Sequence, residues 1–483
     1  MKKFQRVVTL LLVIAMVWGL TGCGTKTNNK QDNNTVKDTS VEVTDDADTT
    51  TDTVDEELGY GGVSILKDEN GNVYDLGGME IIVADWWSSG EETEAETAQE
   101  EATAEYRKWI QETYNFKIKQ VAVGDWGTHP EEFINFATTG GEENYVYILN
   151  QGSLAAPLKS GLFYDLSTLD CLNFEEDKWV DEIKELMTKD GGIYGMRAED
   201  PEPNGGIYFN KRMLEEAGVE PESLYDMQAD GTWTWEAFEE ICKKVTRDTD
   251  NDGVIDVYAM TNFSINFFSE ALASNNACFI GRDAEGNYYN ATQSDECLEA
   301  LNWANDMVKK YEMPTPDGAE WDYSFSSFKN GEAAMNAGAV YEAAGMQEAM
   351  KDDYGFVCFP KGPKAEQYYN IWSDNVSVIP ACYDADRAWK IAFGYNLFAQ
   401  PTPGYDGEED WKTGYYENYR DTRAVDETIA LLKQNGVIWY DGLVPGLISG
   451  DILYEVYAGV ATPAEKVEGI ANQWQAYIDE ANK

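Results

Sequence analysis

An early stretch of the chain alternates short apolar runs with amphipathic segments, and this alternation constrains the fold more than any other feature. Apolar runs typical of strands occupy residues 79–84, 116–123 and 145–149. Residues 88–114 and 130–137, which lie between them, carry apolar side chains at helical spacing. The order strand, helix, strand, helix, strand predicts a parallel sheet covered by helices, and hence an α/β fold.

The carboxyl ends of these predicted strands carry aromatic and amide side chains. Trp86 and Trp87 follow the first strand, Trp126 follows the second and Gln151 follows the third. Ligands of open parallel sheets bind at the carboxyl ends of the strands. Aromatic rings stack on the C–H faces of polyhydroxylated ligands, while amides and carboxylates bond to the hydroxyl groups. Trp86, Trp87 and Gln151 are therefore candidate ligand-binding residues.

The rest of the chain is predicted to be rich in helices. Residues 63–74 are predicted to form a hairpin because Asn70-Gly71 is a strong tight-turn signal. Residues 261–358 are predicted to be mostly helical. Further predicted helices cover residues 210–217, 385–398, 424–433 and 463–482.

The charge of the chain argues against several classes of function. It has 88 Asp and Glu residues against 36 Lys and Arg residues, for a formal net charge of −52. Nucleic-acid binding is disfavoured because affinity for phosphates comes from Lys and Arg side chains that displace counterions. Docking of a basic patch onto anionic lipid is disfavoured for the same reason. The single histidine, His129, argues against a Ser-His-Asp triad or a multi-histidine metal site.

The N-terminus has the pattern of a bacterial lipoprotein signal. Basic residues precede an apolar run at residues 7–20, which is too short to span a bilayer. The sequence Leu20-Thr-Gly-Cys23 resembles a lipobox, which implies that residues 1–22 are removed and that Cys23 carries a lipid. Cys23 would then be the only membrane anchor, on the outer face of the cytoplasmic membrane. An ordinary secretory signal with a coincidental cysteine is the alternative.

Residues 23–57 are polar and acidic, with almost no large apolar side chains. Such a segment cannot bury enough apolar surface to become ordered, so we predict a disordered acidic tether. Six cysteines follow it, and none forms a CxxC pair. Outside the cytoplasm these cysteines could form disulfides, and the sequence leaves free thiols and pairing as open alternatives.

A run of alternating acidic residues predicts a structural calcium loop. The pattern is that of an EF-hand-like loop, with Gly253 at the sharp turn and Ala259 in place of the usual final Glu. A plain surface turn rich in Asp, Asn and Gly is the alternative. The candidate Ca²⁺ ligands are the side chains of Asp248, Asp250, Asp252 and Asp256 and the carbonyl of Val254.

Three groups of short motifs follow one another along the chain. They are Gly192-Ile-Tyr-Gly195 with Ile207-Tyr-Phe-Asn-Lys211, Leu214-Glu-Glu-Ala-Gly-Val219 and Thr232-Trp-Thr-Trp-Glu-Ala-Phe238; then Phe328-Lys-Asn-Gly-Glu-Ala-Ala-Met335; and then Val376-Ser-Val-Ile-Pro380 with Ala388-Trp-Lys-Ile-Ala-Phe393. In order and spacing they resemble the extracellular solute-binding proteins of carbohydrate ABC importers, the maltose-binding-like group. Each motif alone is weak, and the resemblance rests on the set.

The resemblance implies a two-lobed periplasmic-binding-protein-like α/β fold with hinge crossings and a central ligand cleft. By analogy, crossings are expected near residues 199–205, 370–376 and 436–450. Lobe 1 then covers residues 58–200 and 373–440, and lobe 2 covers residues 205–370 and 445–483.

The same resemblance adds candidates for the ligand site. Tyr341 is similar in position to an aromatic residue that the family often stacks on a sugar. Glu199 lies at the first expected crossing, and Trp372 and Asp374 lie at the second. Trp321 and Trp439 are further aromatic candidates.

The function implied by the resemblance is that of a lipid-anchored binding protein. It would capture a sugar or oligosaccharide between its lobes and deliver it to the transmembrane subunits of an ABC permease, without catalysis and without an organic cofactor. Two alternatives stay open. One is a lipid-anchored glycoside hydrolase, which needs two opposed carboxylates. The other is a solute-binding protein for peptides or another solute that is not a sugar.

Overall fold

The computed structural model describes residues 58–90, 95, 97–198, 203–263, 265–320, 322–372 and 375–483. They belong to one unit, Glu56–Lys483. The signal peptide and tether predicted for residues 1–57, with Cys23, lie outside the described residues, as do the candidates Glu199, Trp321 and Asp374.

The described residues contain fourteen strands. They are β1 (Met79–Asp85), β2 (Phe116–Ala122), β3 (Asn144–Leu149), β4 (Thr188–Lys189), β5 (Gly192–Ile193), β6 (Gly206–Asn210), β7 (Tyr258–Asn262), β8 (Ile280–Arg282), β9 (Tyr288–Asn290), β10 (Ala333–Gly338), β11 (Tyr354–Cys358), β12 (Asn370–Ile371), β13 (Val376–Val378) and β14 (Gly436–Val437).

The same residues contain sixteen α-helices. They are α1 (Ala98–Thr113), α2 (His129–Thr139), α3 (Ala155–Lys159), α4 (Asp181–Leu186), α5 (Lys211–Glu216), α6 (Ser223–Ala229), α7 (Trp235–Val245), α8 (Asn266–Ser274), α9 (Asp295–Tyr311), α10 (Tyr323–Lys329), α11 (Ala343–Ala349), α12 (Ala385–Phe398), α13 (Lys412–Asn418), α14 (Ala430–Gln434), α15 (Gly450–Tyr457) and α16 (Pro463–Ala481). A π-helical turn, Ala424–Ile429, leads into α14.

The first sheet is the one predicted from the early alternation. Strands β2, β1 and β3 run parallel, and β13 joins β3 in the antiparallel sense. Helices cover both faces. Ile81 of β1 packs with Tyr106 of α1 and Ile391 of α12 in one apolar cluster, and Ala84 lies with Phe133 of α2 in another. The predicted α/β class is confirmed.

Helix α1 begins at Ala98, ten residues after the start of the predicted segment at residue 88. Thr97 accepts a hydrogen bond from the Glu100 backbone N–H at 3.1 Å, and the Glu100 carboxylate accepts one from the Thr97 N–H at 3.3 Å. This capping box satisfies two donors that a helix start leaves without partners, so it fixes where the helix begins.

The second sheet has the order β11, β6, β10, β7. Strand β6 is antiparallel to both of its neighbours, and β10 is parallel to β7. Every residue of β6, β10 and β11 is buried. The expectation of mostly helix over residues 261–358 is wrong for β8, β9, β10 and β11. A short apolar run that is buried on both faces has no alternation, so its periodicity does not separate it from a buried helix.

Three chain segments lie side by side where the resemblance placed crossings. The Asn204 backbone N–H donates to the Ile371 carbonyl at 2.8 Å, and Pro203 forms an isolated bridge with Trp372. Strand β12 pairs in parallel with β14. In sequence, β12 lies between β11 of the second sheet and β13 of the first, so it connects the two sheets.

The predicted lobe boundaries stay a prediction, and the packing of one segment differs from them. Residues 411–432 fall within the range assigned to lobe 1. Tyr419, Val425, Ile429 and Leu432 nevertheless pack in the apolar core of the second sheet. Tyr419 also lies 3.1 Å, hydroxyl to hydroxyl, from Tyr208 of β6.

Two smaller expectations concern local structure and chemistry. The turn at Asn70-Gly71 forms, with Gly71 at a φ of +83°, but the predicted hairpin is reduced to the isolated bridge between Lys67 and Val73. All six described cysteines are free thiols. Among the described residues, no helix has the length and the apolar character needed to cross a membrane.

Candidate ligand-binding site

The carboxyl end of β1 is organised by a buried carboxylate. Asp85 is fully buried. It accepts hydrogen bonds from the backbone N–H groups of Trp87 at 3.1 Å and Ser88 at 2.9 Å, from the Ser88 hydroxyl at 2.5 Å and from the Gln120 side-chain amide at 2.8 Å. These bonds turn the chain sharply after the strand and hold the two tryptophans at the edge of the sheet.

Three tryptophans meet at this edge. The Trp86 ring lies edge-on to Trp87, with centroids 4.7 Å apart, and edge-on to Trp126, with centroids 5.1 Å apart. Trp87 is 51 % exposed and Trp126 is 63 % exposed, while Trp86 is half-buried. Two large apolar faces are therefore presented to solvent side by side. We call Trp86, Trp87 and Trp126 the tryptophan cluster.

Trp126 is a site residue that the sequence analysis did not select. Its position after β2 carried the same signal as those of Trp86 and Trp87, because all three follow strands of one parallel sheet. The loop that presents it is held by Asp125, whose carboxylate accepts from the Gly127 N–H at 3.0 Å and the Thr128 hydroxyl at 2.8 Å. The bond from the Thr128 hydroxyl, together with bonds from the backbone N–H groups of Thr128 and Gly127, lowers the pKa of Asp125.

His129 has a structural position beneath the tryptophan cluster. It is fully buried, and its ring centroid lies 5.5 Å from that of Trp86. Nδ1 lies 2.6 Å from the Val123 carbonyl oxygen and Nε2 lies 2.8 Å from that of Ile148. The imidazole thus joins the ends of β2 and β3 and packs against Trp86 of the tryptophan cluster.

Gln151 and Trp372 lie near the predicted site but are engaged in contacts within the fold. Gln151 is buried, and its side-chain amide donates to the Trp439 carbonyl. The Trp372 indole N–H donates to the Leu432 carbonyl at 3.3 Å, and its ring covers Gly436, where no side chain would fit. Gln151 ties the end of β3 to the third crossing and Trp372 ties the second crossing to Leu432 and Gly436, so a role in binding the ligand stays a prediction.

The corresponding edge of the second sheet also presents aromatic side chains. Strands β7 and β10 are parallel, so Phe263 and Tyr341, which follow them, come to the same edge. Tyr341 is 67 % exposed and Phe263 is 37 % exposed. Next to Tyr341, the Asn336 amide donates to the Glu342 carboxylate at 3.4 Å, and burial raises the pKa of Glu342 to about 7.

A cavity of about 220 Å³ lies where the second sheet meets the crossing segments. Helix α8 contributes Glu270, which is 5 % exposed, and burial raises the pKa of Glu270 to about 8. Among the described residues that line the cavity there is neither Lys nor Arg. The lining residues are Asn204, Gly205, Asn266, Ser269, Glu270, Ala337, Gly338, Ile371, Trp439 and Ser449.

Two further buried acids lie outside the lining of this cavity. Burial raises the pKa of Glu312 to about 7, while the Asn262 amide, which donates to its carboxylate at 3.2 Å, opposes the shift. Burial also raises the pKa of Asp441 to about 7. The second sheet and the crossings therefore hold several carboxyl groups whose pKa burial raises to about 7 or 8.

Comparison with known proteins identifies the family. The sequence profile of the bacterial extracellular solute-binding proteins matches residues 86–401, which is more than half of the chain. The chain belongs to this family. Membership implies an extracytoplasmic location. No curated protein matches the chain significantly.

Solved structures of solute-binding proteins share the fold at low sequence identity. The cyclic α-maltosyl-1,6-maltose binding protein of Arthrobacter globiformis aligns with a TM-score of 0.60 at 13 % identity, over 84 % of this chain and 100 % of that chain. UgpB of Mycobacterium tuberculosis, in complex with glycerophosphocholine, gives 0.57 at 18 % identity, over 84 % and 99 %. The ABC substrate-binding protein Lmo0181 of Listeria monocytogenes, in complex with cycloalternan, gives 0.55 at 16 % identity, over 84 % and 98 %. The two-lobed α/β fold is confirmed by these likenesses.

The predicted calcium loop of this solute-binding protein lies between α7 and β7. Carboxylate oxygens of Asp248, Asp250 and Asp256 lie within 4.8 Å of one another, and Asp252 is not part of this group. Gly253 adopts a φ of +92°, as the predicted sharp turn requires. The Asp248 carboxylate accepts from the Gly253 N–H at 2.8 Å, which holds the loop closed around the three acids.

Proposed function

We propose that this solute-binding protein captures a neutral sugar or oligosaccharide between its two lobes and delivers it to the transmembrane subunits of an ABC importer. The observation that carries the proposal is the tryptophan cluster. Adjacent exposed indole faces at the carboxyl edge of a parallel sheet suit the C–H faces of sugar rings, and exposed apolar patches on soluble proteins mark binding sites.

The aromatic residues at the edge of the second sheet and the lining of the cavity are also consistent with a neutral ligand. Phe263 and Tyr341 supply aromatic surface at the edge of the second sheet, and the polar side chains that line the cavity at the crossings are neutral apart from one buried carboxyl group. Without a Lys or Arg in its lining, the cavity offers an anionic ligand no counter-charge. Among the structural relatives, two are named for or solved with cyclic oligosaccharides.

Thermal unfolding with a defined panel tests the proposal. The panel is maltotriose, cyclic α-maltosyl-1,6-maltose, D-mannitol, glycerophosphocholine and trialanine. A ligand present at 100 times its Kd stabilises the folded state by about 2.7 kcal/mol, so at least one saccharide or polyol should raise the melting temperature by several degrees. Stabilisation by trialanine alone would overturn the proposal. Release of glucose from maltotriose would establish the hydrolase alternative instead.

The tryptophan cluster gives a matched pair of variants. Trp126→Ala removes the most exposed indole face of the cluster, and we expect the Kd for the stabilising saccharide to rise about tenfold or more, which corresponds to about 1.4 kcal/mol. Tyr454→Ala removes an aromatic side chain of similar exposure on α15, outside the tryptophan cluster, and serves as the control. Equal affinities for the two variants, measured by calorimetry, would contradict the role of the cluster.

We also propose that the loop at residues 248–256 binds Ca²⁺ as a structural ion. Three convergent carboxylates supply the hard oxygen ligands that Ca²⁺ prefers, and Asp252 and the Val254 carbonyl complete the proposed set. EGTA is expected to lower the melting temperature of the wild type but not that of Asp248→Asn. The control is Asp283→Asn, in a turn where one aspartate bonds to the Glu285 and Asn287 N–H groups. An unchanged wild-type melting temperature in EGTA would show that the loop is a plain turn.

The membrane anchor is proposed from the sequence alone. Cys23 follows a short apolar run and is proposed to carry the lipid that holds the protein at the outer face of the cytoplasmic membrane. Cys23→Ala is expected to move the protein from the membrane fraction to the medium. Retention of the variant in the membrane fraction would contradict the anchor.

A further inference from the structure

The cavity at the junction of the second sheet and the crossings holds a carboxyl group in a fixed position. A methyl group at Gly205 would come within 2.5 Å of Glu270 Oε1, so the glycine backbone lies directly against this side chain. The Ile371 backbone N–H lies on the other side, close enough to oppose the pKa shift that burial causes. Glu270 therefore reaches from α8 to two of the three crossing segments.

Two buried polar atoms of the cavity lining have no hydrogen-bond partner. One is Glu270 Oε2 and the other is the Trp439 indole Nε1. Buried polar groups in folded proteins are nearly always paired, because an unpaired one costs about 1–3 kcal/mol. Two such atoms that line one cavity are therefore positioned for a molecule that enters it.

The chemistry of these two atoms selects one class of ligand group. Oε2 of the Glu270 carboxyl group accepts a hydrogen bond when the group is ionised and can also donate one when it is protonated, whereas the indole N–H only donates. A hydroxyl group both donates and accepts, so hydroxyls satisfy both atoms. An ammonium group has no lone pair for the indole, and the described lining holds no Lys or Arg to balance the charge of a carboxylate or phosphate.

The rest of the lining agrees with a hydroxylated ligand. Asn204, Asn266, Ser269 and Ser449 are neutral groups that each donate and accept. Burial raises the pKa of Glu270, so a neutral ligand does not have to compensate a full buried charge. At about 220 Å³ the cavity is smaller than the roughly 300–1,000 Å³ typical of sites for drug-sized ligands, so it suits a single sugar-sized unit.

We propose that Glu270 and Trp439 form the specificity subsite of the cleft, in which Glu270 accepts a hydrogen bond from a ligand hydroxyl and the Trp439 indole N–H donates one. This inference rests on the proposed function, since it assigns the residues that read the hydroxyl groups of the same ligand. The tryptophan cluster then supplies stacking at the edge of the first sheet, and the subsite supplies the polar selection.

Two substitutions remove these groups one at a time. Glu270→Met removes the acceptor while keeping side-chain length, and Trp439→Phe removes the indole N–H while keeping an aromatic ring. Each is expected to raise the Kd of the stabilising saccharide or polyol of the panel about tenfold or more, because the ligand hydroxyl then loses a partner in a buried site. Glu312→Gln is the matched control, as it alters another acid near the second sheet whose pKa burial raises but which is not among the described residues that line the cavity.

The outcomes separate this inference from the proposed function. If maltotriose, cyclic α-maltosyl-1,6-maltose and D-mannitol all leave the wild-type melting temperature unchanged, both fail. If one of them binds the wild type and both variants with the affinity of the Glu312→Gln control, only the subsite is overturned. Should Glu270→Met fail to unfold cooperatively, Trp439→Phe decides alone, and unchanged affinity in that variant overturns the subsite.

Discussion

The acidic residues at the two sheet edges of this protein differ in burial and in hydrogen bonding. At the edge of the first sheet, Asp85 and Asp125 accept several hydrogen bonds from the turns that follow the strands, and the aromatic rings lie outside. At the edge of the second sheet and the adjoining crossings, Glu270 is buried with one carboxyl oxygen that has no hydrogen-bond partner among the described residues, and burial raises the pKa of Glu270 and of the half-buried Glu342. The first edge thus presents the apolar tryptophan cluster, whereas the cavity at the second edge holds buried polar atoms of Glu270 and Trp439 that have no hydrogen-bond partner among the described residues.

The largest effect is expected from removing the carboxylate that organises the first edge. Asp85→Ala leaves the Trp87 and Ser88 N–H groups and the Gln120 amide without their acceptor in a buried position. We expect the free energy of unfolding to fall by about 3 kcal/mol, measured by denaturant titration. Asp85→Asn keeps one acceptor oxygen and should lose less. Equal stability of wild type and Asp85→Ala would show that the first edge does not depend on this residue.

A smaller effect is expected from pH, and it belongs to the second edge. The pKa of Glu270 is about 8 in the folded state against an ordinary 4.5, so the folded state binds more protons than the unfolded state between these values. The free energy of unfolding without ligand should therefore be highest below about pH 4.5 and should fall as the pH rises towards 8.

Glu270→Gln checks the origin of this pH dependence. The variant has no carboxyl group to ionise, so its stability should change less between pH 5 and 8 than that of the wild type. Burial also raises the pKa values of Glu312, Glu342 and Asp441, so the stability of the variant should still fall somewhat as the pH rises. A wild-type stability that rises across this range would contradict the burial of these acids.

The smallest effect is expected at the exposed turn of the first edge. Asp125→Ala removes bonds to Gly127 and Thr128 in a loop that is open to solvent, where water replaces the lost acceptor. The melting temperature should fall by less than for Asp85→Ala. Because the loop carries Trp126, saccharide affinity should fall too, though by less than for Trp126→Ala. If Asp125→Ala lost more stability than Asp85→Ala, the expectation that the buried turn contributes more than the exposed one would be wrong.

The first edge was largely predictable because its signal is local. Apolar runs, helical spacing and their order fix a parallel sheet, and residues that follow parallel strands share one edge. This reasoning found Trp86 and Trp87, and it applied equally to Trp126. Gln151 satisfies the same rule, yet its amide is engaged by the Trp439 carbonyl, about 290 residues later in the chain. No local pattern reports that bond.

The second edge was predictable only in part. Tyr341 came from a family resemblance, while β10 and β11 were expected to be helical because buried strands lack alternation. Glu270 stands on a helix among 88 acidic residues, and nothing in its neighbourhood distinguishes it. Its position is set by Gly205 and Ile371, which come from separate crossing segments.

The sequence by itself determined the fold class, the family and the first set of aromatic residues, because hydrophobic periodicity and strand order are properties of neighbouring residues. Only the tertiary structure decided which side chains are engaged within the fold and which line the cavity. Trp372 packs on Gly436, and Glu270 meets Trp439 across one cavity. Those choices depend on burial and on hydrogen bonds between distant segments, which exist only after the three crossings come together.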